Sequence, residues 1–205
     1  SAREGCAADT PPKLAAQTLV GAAYAANWQR DYAEAVRWAR EARSRAEAHG
    51  WLRMQATVAG VESAALDSLG RYDEALARVK GAAEALEHLG SADAGLMWAG
   101  AANTLLKLER PGEAAPLLVR ALDLLTAAGR WPLVAATHVV ALWCDLLRGD
   151  EGWRDHLDVA EEQLAATGFV QDSMATALRH ARDLCPADAR PRVEALLADQ
   201  LERLA

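Results

Sequence analysis

The sequence predicts an all-α fold built from antiparallel helical hairpins, and three observations support this prediction. Apolar residues make up 52% of the 205 residues, and much of that content is alanine, a strong helix former. The chain has one phenylalanine and few β-branched residues, so it contains few of the residue types that favour β-strands. Glycines follow amphipathic runs at Gly50, Gly90, Gly129 and Gly168, at intervals of 39 or 40 residues. A fixed period of this length is typical of stacked repeats.

Each repeat is predicted to contain two helices. A glycine just past a helix end commonly enters the left-handed region, which glycine adopts at little cost. A second set of breaks lies midway between these glycines, at residues 27–31, 69–71, 109–112 and 148–150. Asp31, followed by Glu34, indicates a helix N-cap with an acidic third position. The pattern therefore predicts about ten helices in five hairpins.

The same glycines and mid-repeat breaks predict the domain organisation. Residues 1–10 are predicted to form a flexible N-terminal tail, and residues 11–205 a single domain. The repeats are expected at about 11–50, 51–90, 91–129 and 130–168, followed by a capping hairpin at 169–205. Because the chain does not begin with Met, we expect it to be a piece of a longer protein.

A recurring sequence motif begins the second helix of the repeats. Tyr32 to Ala35 and Tyr72 to Ala75 share an aromatic residue, an acidic residue and an alanine, with Ala42 and Ala82 seven positions after the alanine. These residues resemble the tetratricopeptide repeat (TPR) family over roughly residues 11–168, although the period exceeds the family's usual 34 residues. Repeats of this length look like the helical arms of large bacterial LuxR-type regulators and signal-transduction ATPases. The resemblance implies a right-handed superhelix of about five antiparallel helix hairpins, a TPR-like α-solenoid.

The resemblance also implies a binding site. In this family the first helices of the hairpins line a concave groove that takes an extended peptide or a helix of a partner. The groove positions fall here on residues Gln17, Tyr24, Asn27, Trp28, Asp67, Asn103, Lys107, His138 and Trp143. Asn103 is of interest because an amide can bond both the N–H and the C=O of a peptide. The alternative is that Asn103 satisfies a neighbouring helix or a water molecule.

Composition and motifs argue against several classes of function. The net charge is −7 without a run of Lys or Arg, so direct contact with nucleic acid is not expected. No apolar stretch has the length of a membrane span. Cys6, Cys144 and Cys185 are odd in number and far apart, which matches neither a disulfide framework nor a zinc site and suits a cytoplasmic protein. Catalytic, phosphate-binding and metal-binding motifs are absent. We therefore expect no enzymatic activity, cofactor or metal.

The function that the sequence favours is a non-catalytic scaffold that binds a protein or peptide, as the sensing or partner-binding arm of a larger bacterial transcriptional regulator. One alternative is a self-association or spacer module. Stacked repeats need a polar end, and the N-terminal end, beginning Leu14-Ala15-Ala16, is less polar than the C-terminal helix, which allows a homodimer through that end. A third reading, an all-α receptor for a small ligand, depends only on the aromatic groove residues.

Overall fold

The structure, a computed structural model, describes residues 11–204, so the tail predicted at residues 1–10 lies outside the described residues. Within residues 11–204 every regular element is an α-helix, and no strand occurs there. The helices are α1 (Pro12–Trp28), α2 (Tyr32–Ala48), α3 (Leu52–Ser68), α4 (Tyr72–His88), α5 (Asp93–Lys107), α6 (Pro111–Ala127), α7 (Trp131–Arg148), α8 (Trp153–Thr167), α9 (Asp172–Leu184) and α10 (Arg190–Leu204).

The chain contains two compact units. The first unit extends to Thr104 and contains α1 to α4 with most of α5. The second unit begins at Leu105 and contains the end of α5 with α6 to α10. The prediction that residues 11–205 form a single domain with the repeat boundaries given above stays a prediction.

Left-handed residues end most of the helices. Gly50, Gly90, Gly129 and Gly168 have φ between 61° and 66°, which confirms them as the helix-end glycines that the sequence predicts. Asp31 is also confirmed as an N-cap, because its Oδ1 accepts a hydrogen bond of 3.2 Å from the backbone N–H of Glu34. Such a cap contributes about 1 kcal/mol to helix stability. The local chemistry of the turns therefore defines where the helices start and stop.

The turn between α5 and α6 uses a non-glycine residue in the same conformation. Glu109 has φ 58°, where the Cβ of an L-residue crowds the backbone at a cost of about 1–2 kcal/mol. We expect Glu109→Gly to raise the free energy of unfolding by about 0.5–1 kcal/mol, because glycine removes that crowding. Urea denaturation followed by circular dichroism measures the change. Glu109→Ala removes the same carboxylate but keeps Cβ, so an equal gain in that variant would contradict the backbone explanation.

The core of the first unit combines a few large side chains with many alanines. Leu19, Val36, Trp38, Val58 and Leu66 are each at most 8% exposed and form one cluster. Alanines between them are almost fully buried, which lets neighbouring helices approach closely: Ala23, Ala35, Ala39, Ala42, Ala65 and Ala75. α2 packs on both α1 and α3, and α3 packs on α4. Each amphipathic helix thus buries its apolar side against the next one in the chain.

A buried carboxylate lies between the helices of the first unit. Glu62 of α3 has no exposed side-chain surface, and its Oε1 accepts a hydrogen bond of 3.0 Å from Nε of Arg40. Its Oε2 lies 3.3 Å from Nε of Arg43 and 3.6 Å from Nε of Arg78. These two contacts are ion pairs without hydrogen-bond geometry, because Glu62 Oε2 has no hydrogen-bond partner. Three arginines of α2 and α4 therefore compensate one buried negative charge, as a buried carboxylate requires.

The second unit has its own apolar core. α7 packs on α6, α8 and α9, and α9 packs on α10. Leu142, Leu157, Met174 and Leu178 are among its fully buried side chains. Gln200 of α10 is also buried, and its Nε2 donates a hydrogen bond of 3.1 Å to the carbonyl oxygen of Phe169. This bond attaches the last helix to the turn before α9.

Candidate functional site

The first helices of three hairpins share one face of the first unit. α1 packs on α3. α3 approaches α5 so closely that a Cβ at Gly60 would lie 2.9 Å from Sδ of Met97. The hydroxyl of Thr104 in α5 also donates a hydrogen bond of 3.1 Å to Oδ1 of Asp67 in α3. We call the surface that α1, α3 and α5 present between Gln17 and Asn103 the first-helix face.

A cavity opens on this face between the N-terminal halves of α1 and α3. Its volume is about 510 Å³, within the range of ligand pockets in proteins. Most of its lining is apolar, Lys13 and Arg53 are its charged members, and no carboxylate lines it. The lining residues are Lys13, Gln17, Val20, Trp51, Leu52, Arg53, Met54 and Thr57. The cavity therefore offers apolar contact beside two positive charges.

Asn103 carries an unsatisfied polar atom on the α5 part of this face. Its side chain is 9% exposed, and its Oδ1 is buried without a hydrogen-bond partner. Leaving a buried acceptor unpaired costs about 1–3 kcal/mol, so such atoms in folded proteins call for an explanation. Oδ1 of Asn27, near the end of α1, is in the same state. Both residues belong to the set that the sequence predicts for the groove.

Tyr24 extends the face from α1 toward α5. Its ring is 44% exposed. The pKa of its hydroxyl is raised, first by partial burial and then by the negative charge of Asp93 at the start of α5. Since this interaction acts only over short distances, Tyr24 and Asp93 lie near each other. The phenol is therefore protonated at neutral pH and can donate a hydrogen bond to a ligand.

The other predicted groove residues have diverse environments. Gln17 lines the cavity and Asp67 is half-buried beside Thr104, whereas Trp28 is 84% exposed on the outer side of α1, away from the cavity lining. Lys107 and His138 are half-buried and belong to the second unit. Gln17, Tyr24, Asn27, Asp67 and Asn103 all belong to α1, α3 or α5 of the first unit, and that they form one groove stays a prediction.

Trp143 has a packing environment in the second unit. It is 3% exposed, and its indole stacks on the imidazole of His180 in α9, with ring centroids 4.4 Å apart and planes inclined by 7°. The side chain thus fills the space between α7 and α9. As placed here, it presents almost no surface to a partner.

A histidine pair that the sequence did not indicate connects α7 and α8. Nδ1 of His138 lies 2.9 Å from Nδ1 of His156, and Nε2 of His156 lies 3.7 Å from Oδ2 of Asp145. The carboxylate favours a proton on Nε2 of His156, so Nδ1 of that ring accepts the bond that His138 donates. The two histidines are 18 residues apart on different helices, and only the hairpin brings them together.

Stability is expected to fall as this pair is forced to take up protons. Burial, followed by the charge of His156, lowers the pKa of His138 to about 4, and burial lowers the pKa of His156. The unfolded chain binds these protons near pH 6.5 while the folded chain does not, so the stabilisation is complete above pH 6.5 and is lost as pH falls toward 4. Allowing for partial exposure, we expect a loss of about 1–2 kcal/mol between pH 7.5 and 5.0.

Urea denaturation at several pH values measures this loss. His138→Gln keeps a polar side chain of similar length without a titrating group, so its stability should change less over the same interval. An identical pH profile in that variant would contradict the role of the pair.

The described residues offer little to nucleophilic or metal chemistry. Burial first, and then the charge of Asp145, raises the pKa of the Cys144 thiol to about 11, so the nucleophilic thiolate is scarce at neutral pH. Cys144 is 1% exposed, so its side chain lies in the core. Among residues 11–204 no three His, Cys, Asp or Glu side chains form a group that could hold a metal ion. Over the same residues no helix has the length and apolar character needed to cross a membrane.

One comparison with known proteins shows the fold. The crystal structure of the apo form of RapI matches 98% of this chain and 86% of the RapI chain, with a TM-score of 0.75 at 8% sequence identity. No protein-family model matches this chain, and neither does any curated protein. The likeness to RapI confirms the predicted all-α, TPR-like helical-repeat fold. At this identity it indicates the fold alone, because one fold can support many functions.

Proposed function

We propose that the first-helix face binds a peptide segment of a partner protein and that the chain is a non-catalytic binding scaffold. The observation that carries this proposal is the cavity of about 510 Å³ between α1 and α3, with its apolar lining and two cations. An apolar concave surface with a few placed polar groups is the usual form of a binding site. The RapI structure is described as an apo form, which encourages the search for a ligand on this fold.

The lining of the cavity favours one ligand chemistry. Val20, Leu52 and Met54 supply apolar contact, while the exposed Lys13 and Arg53 supply positive charge. The ligand that complements this lining carries a carboxylate next to an apolar side chain. Charge complementarity of this kind increases the association rate and selects among partners. A segment rich in Lys or Arg would be disfavoured.

Polar groups farther along the face are suited to a peptide backbone. The protonated hydroxyl of Tyr24, a residue that is 44% exposed, can donate a hydrogen bond to a carbonyl oxygen of a peptide. Oδ1 of Asn103 is buried without a hydrogen-bond partner, so it would accept a backbone N–H only after its side chain turns toward the ligand. An extended peptide offers such groups at every residue, whereas a compact small molecule reaches only the cavity.

The wider setting is proposed from the resemblance of the long repeats. We place the chain as the sensing or partner-binding arm of a larger bacterial transcriptional regulator in the cytoplasm. The free thiols of Cys144 and Cys185 suit a reducing compartment. The first unit then holds the ligand, and other parts of that protein respond to it.

Selection from a displayed random-peptide library tests the proposal. The immobilised chain should enrich peptides that combine Asp or Glu with apolar residues. Thr57→Trp inserts a large ring at an exposed position of the cavity lining and should abolish capture of these peptides. Thr126→Trp makes the same change at an exposed helical threonine of the second unit and should leave capture unchanged. Circular dichroism confirms that both variants are folded.

Three outcomes would overturn the proposal: no enrichment, enrichment that Thr57→Trp leaves intact, or equal loss in Thr126→Trp. Lys13→Glu with Arg53→Glu separates the ligand chemistry from the site. If the site is correct, this double variant should no longer capture the acidic peptides and should select basic ones. If the double variant selects the same peptides as the parent chain, Lys13 and Arg53 do not determine which ligand binds.

A further inference from the structure

The histidine pair between α7 and α8 has the spacing of two neighbouring metal ligands. Nδ1 of His138 lies 2.9 Å from Nδ1 of His156, and the ring planes are inclined by 51°, so the two nitrogens meet rather than the ring faces. Imidazole nitrogens bind zinc at about 2.0–2.1 Å, and two such ligands at a right angle are about 2.8–3.0 Å apart. The separation therefore matches two adjacent ligands of one ion, once the rings turn their lone pairs toward a shared point.

The surroundings of the pair leave an ion access to both rings. His138 is half-buried, and the side chain of His156 is 25% exposed, so solvent reaches the pair. Over residues 11–204 no third His, Cys, Asp or Glu joins the two rings in a ligand group. Water molecules would complete the coordination of an ion held here, as they do where a protein supplies few of the ligands.

Both rings have a lone pair available at neutral pH. Burial lowers the pKa of His138 and of His156, so neither ring carries a second proton there. The proton that His138 shares with His156 occupies Nδ1 in the absence of an ion. When an ion binds, that proton leaves Nδ1, and Nε2 of the same ring takes one up from solvent, so the ring stays neutral. The ion thus replaces one proton between the two nitrogens.

A carboxylate lies beside the other nitrogen of His156. Oδ2 of Asp145 is 3.7 Å from Nε2 of His156, and the negative charges of Asp145 and Asp155 both act on this ring. A carboxylate beside the nitrogen that does not bind the metal fixes the tautomer and raises the basicity of the ligand. Arg148, one turn after Asp145, is paired with Asp150 at 2.7 Å. The charges around the pair therefore favour a cation.

We propose that His138 and His156 bind one divalent transition-metal ion through their two Nδ1 atoms and so connect α7 with α8. A right-angled pair of nitrogens is typical of nickel(II) and copper(II), whose sites are square-planar or tetragonal, whereas zinc(II) favours a tetrahedron. The rings are 18 residues apart in sequence, so only the folded hairpin forms the site, and the ion stabilises that fold. The site is independent of the peptide cavity, which belongs to the first unit.

Isothermal titration calorimetry with nickel chloride tests the site. The chain carries no histidine tag, and Cys6→Ser removes a thiol outside the described residues. At about pH 7.5, where imidazoles are mostly neutral, the parent should bind one Ni²⁺ per chain. His138→Gln and His156→Gln should each lower the affinity at least about tenfold, because the second ligand of a chelate acts at a high effective concentration. The double variant should bind no more weakly than either single variant, because the two ligands act as a unit.

His88→Gln is the matched control, because His88 is an exposed histidine at the end of α4, and this variant should bind like the parent. Three results would overturn the proposal: no binding by the parent, equal loss in His88→Gln, or binding that survives the change at His138 or His156. Tighter binding of Zn²⁺ than of Ni²⁺ would overturn the class of ion.

Two further measurements separate a bridge between helices from binding to one ring. Ni²⁺ should raise the urea midpoint of the parent and leave that of His138→Gln unchanged, because the ion binds only the folded hairpin. In nuclear magnetic resonance spectra of the parent, Ni²⁺ should broaden the imidazole signals of His138 and His156 together, while those of His49 and His88 stay sharp. Broadening of one ring alone would overturn the bridge, and this result does not depend on how well any variant folds.

Discussion

Trp143→Ala is expected to lower the free energy of unfolding by about 3–5 kcal/mol, the usual cost of removing a buried tryptophan. The indole is 3% exposed and stacks on His180 across α7 and α9, so alanine leaves a cavity between two helices of the second unit. Urea denaturation followed by circular dichroism measures the loss. Trp131→Ala, at a tryptophan that is 49% exposed, should cost far less. Similar losses in both variants would contradict the packing role.

This expectation changes how a binding experiment on Trp143 must be interpreted. Loss of a partner in a Trp143→Ala variant would follow from partial unfolding of the second unit as readily as from loss of a contact. Tyr24 and Asn103 are better positions at which to test the first-helix face. Tyr24 is substantially exposed, and Oδ1 of Asn103 makes no hydrogen bond that a substitution would break.

Removing two of the arginines around Glu62 should be the second most costly change. Arg40→Ala with Arg43→Ala leaves the carboxylate with Arg78 at 3.6 Å as its remaining arginine partner. Uncompensated buried charges cost about 3–5 kcal/mol. The arginines are themselves 45% and 23% exposed, and water entering the vacated space reduces that cost. We therefore expect a loss of about 3 kcal/mol in the free energy of unfolding.

The control for this prediction neutralises the carboxylate. Glu62→Gln, added to the double variant, removes the unpaired charge and should restore part of the lost stability. The same substitution in the parent chain should destabilise, because it removes the negative charge that Arg40, Arg43 and Arg78 surround. A cycle in which Glu62→Gln has the same effect in both backgrounds would show that the charges act independently.

The fold was predictable because its signals are local. Gly50, Gly90, Gly129 and Gly168 mark helix ends by a property of the residue itself, and their positive φ values agree with that interpretation. The same logic could not find Glu109, which adopts φ 58° without any preference for that region. The turn between α5 and α6 holds Glu109 in the left-handed region, which a glutamate does not favour.

The site was only partly predictable because its features depend on neighbours from other helices. Asn103 could be identified as a groove residue from the family pattern, but its unpaired Oδ1 follows from what surrounds it. Glu62 resembles any helical glutamate in sequence, and only the positions of α2 and α4 reveal its burial. The contact between His138 and His156 likewise depends on the register in which α7 and α8 pack.

The uneven exposure of the tryptophans has a spectroscopic consequence. Trp38, Trp98, Trp143 and Trp153 are at most 8% exposed, whereas Trp28 is 84% exposed. A quencher dissolved in the buffer collides mostly with exposed indoles, so Trp28 contributes most to the quenchable part of the emission, followed by Trp131 at 49% exposure. The chain thus contains its own optical reporter at the end of α1. Burial of Trp28 would therefore shift the emission wavelength and lower the quenchable fraction, and no attached dye is needed to observe it.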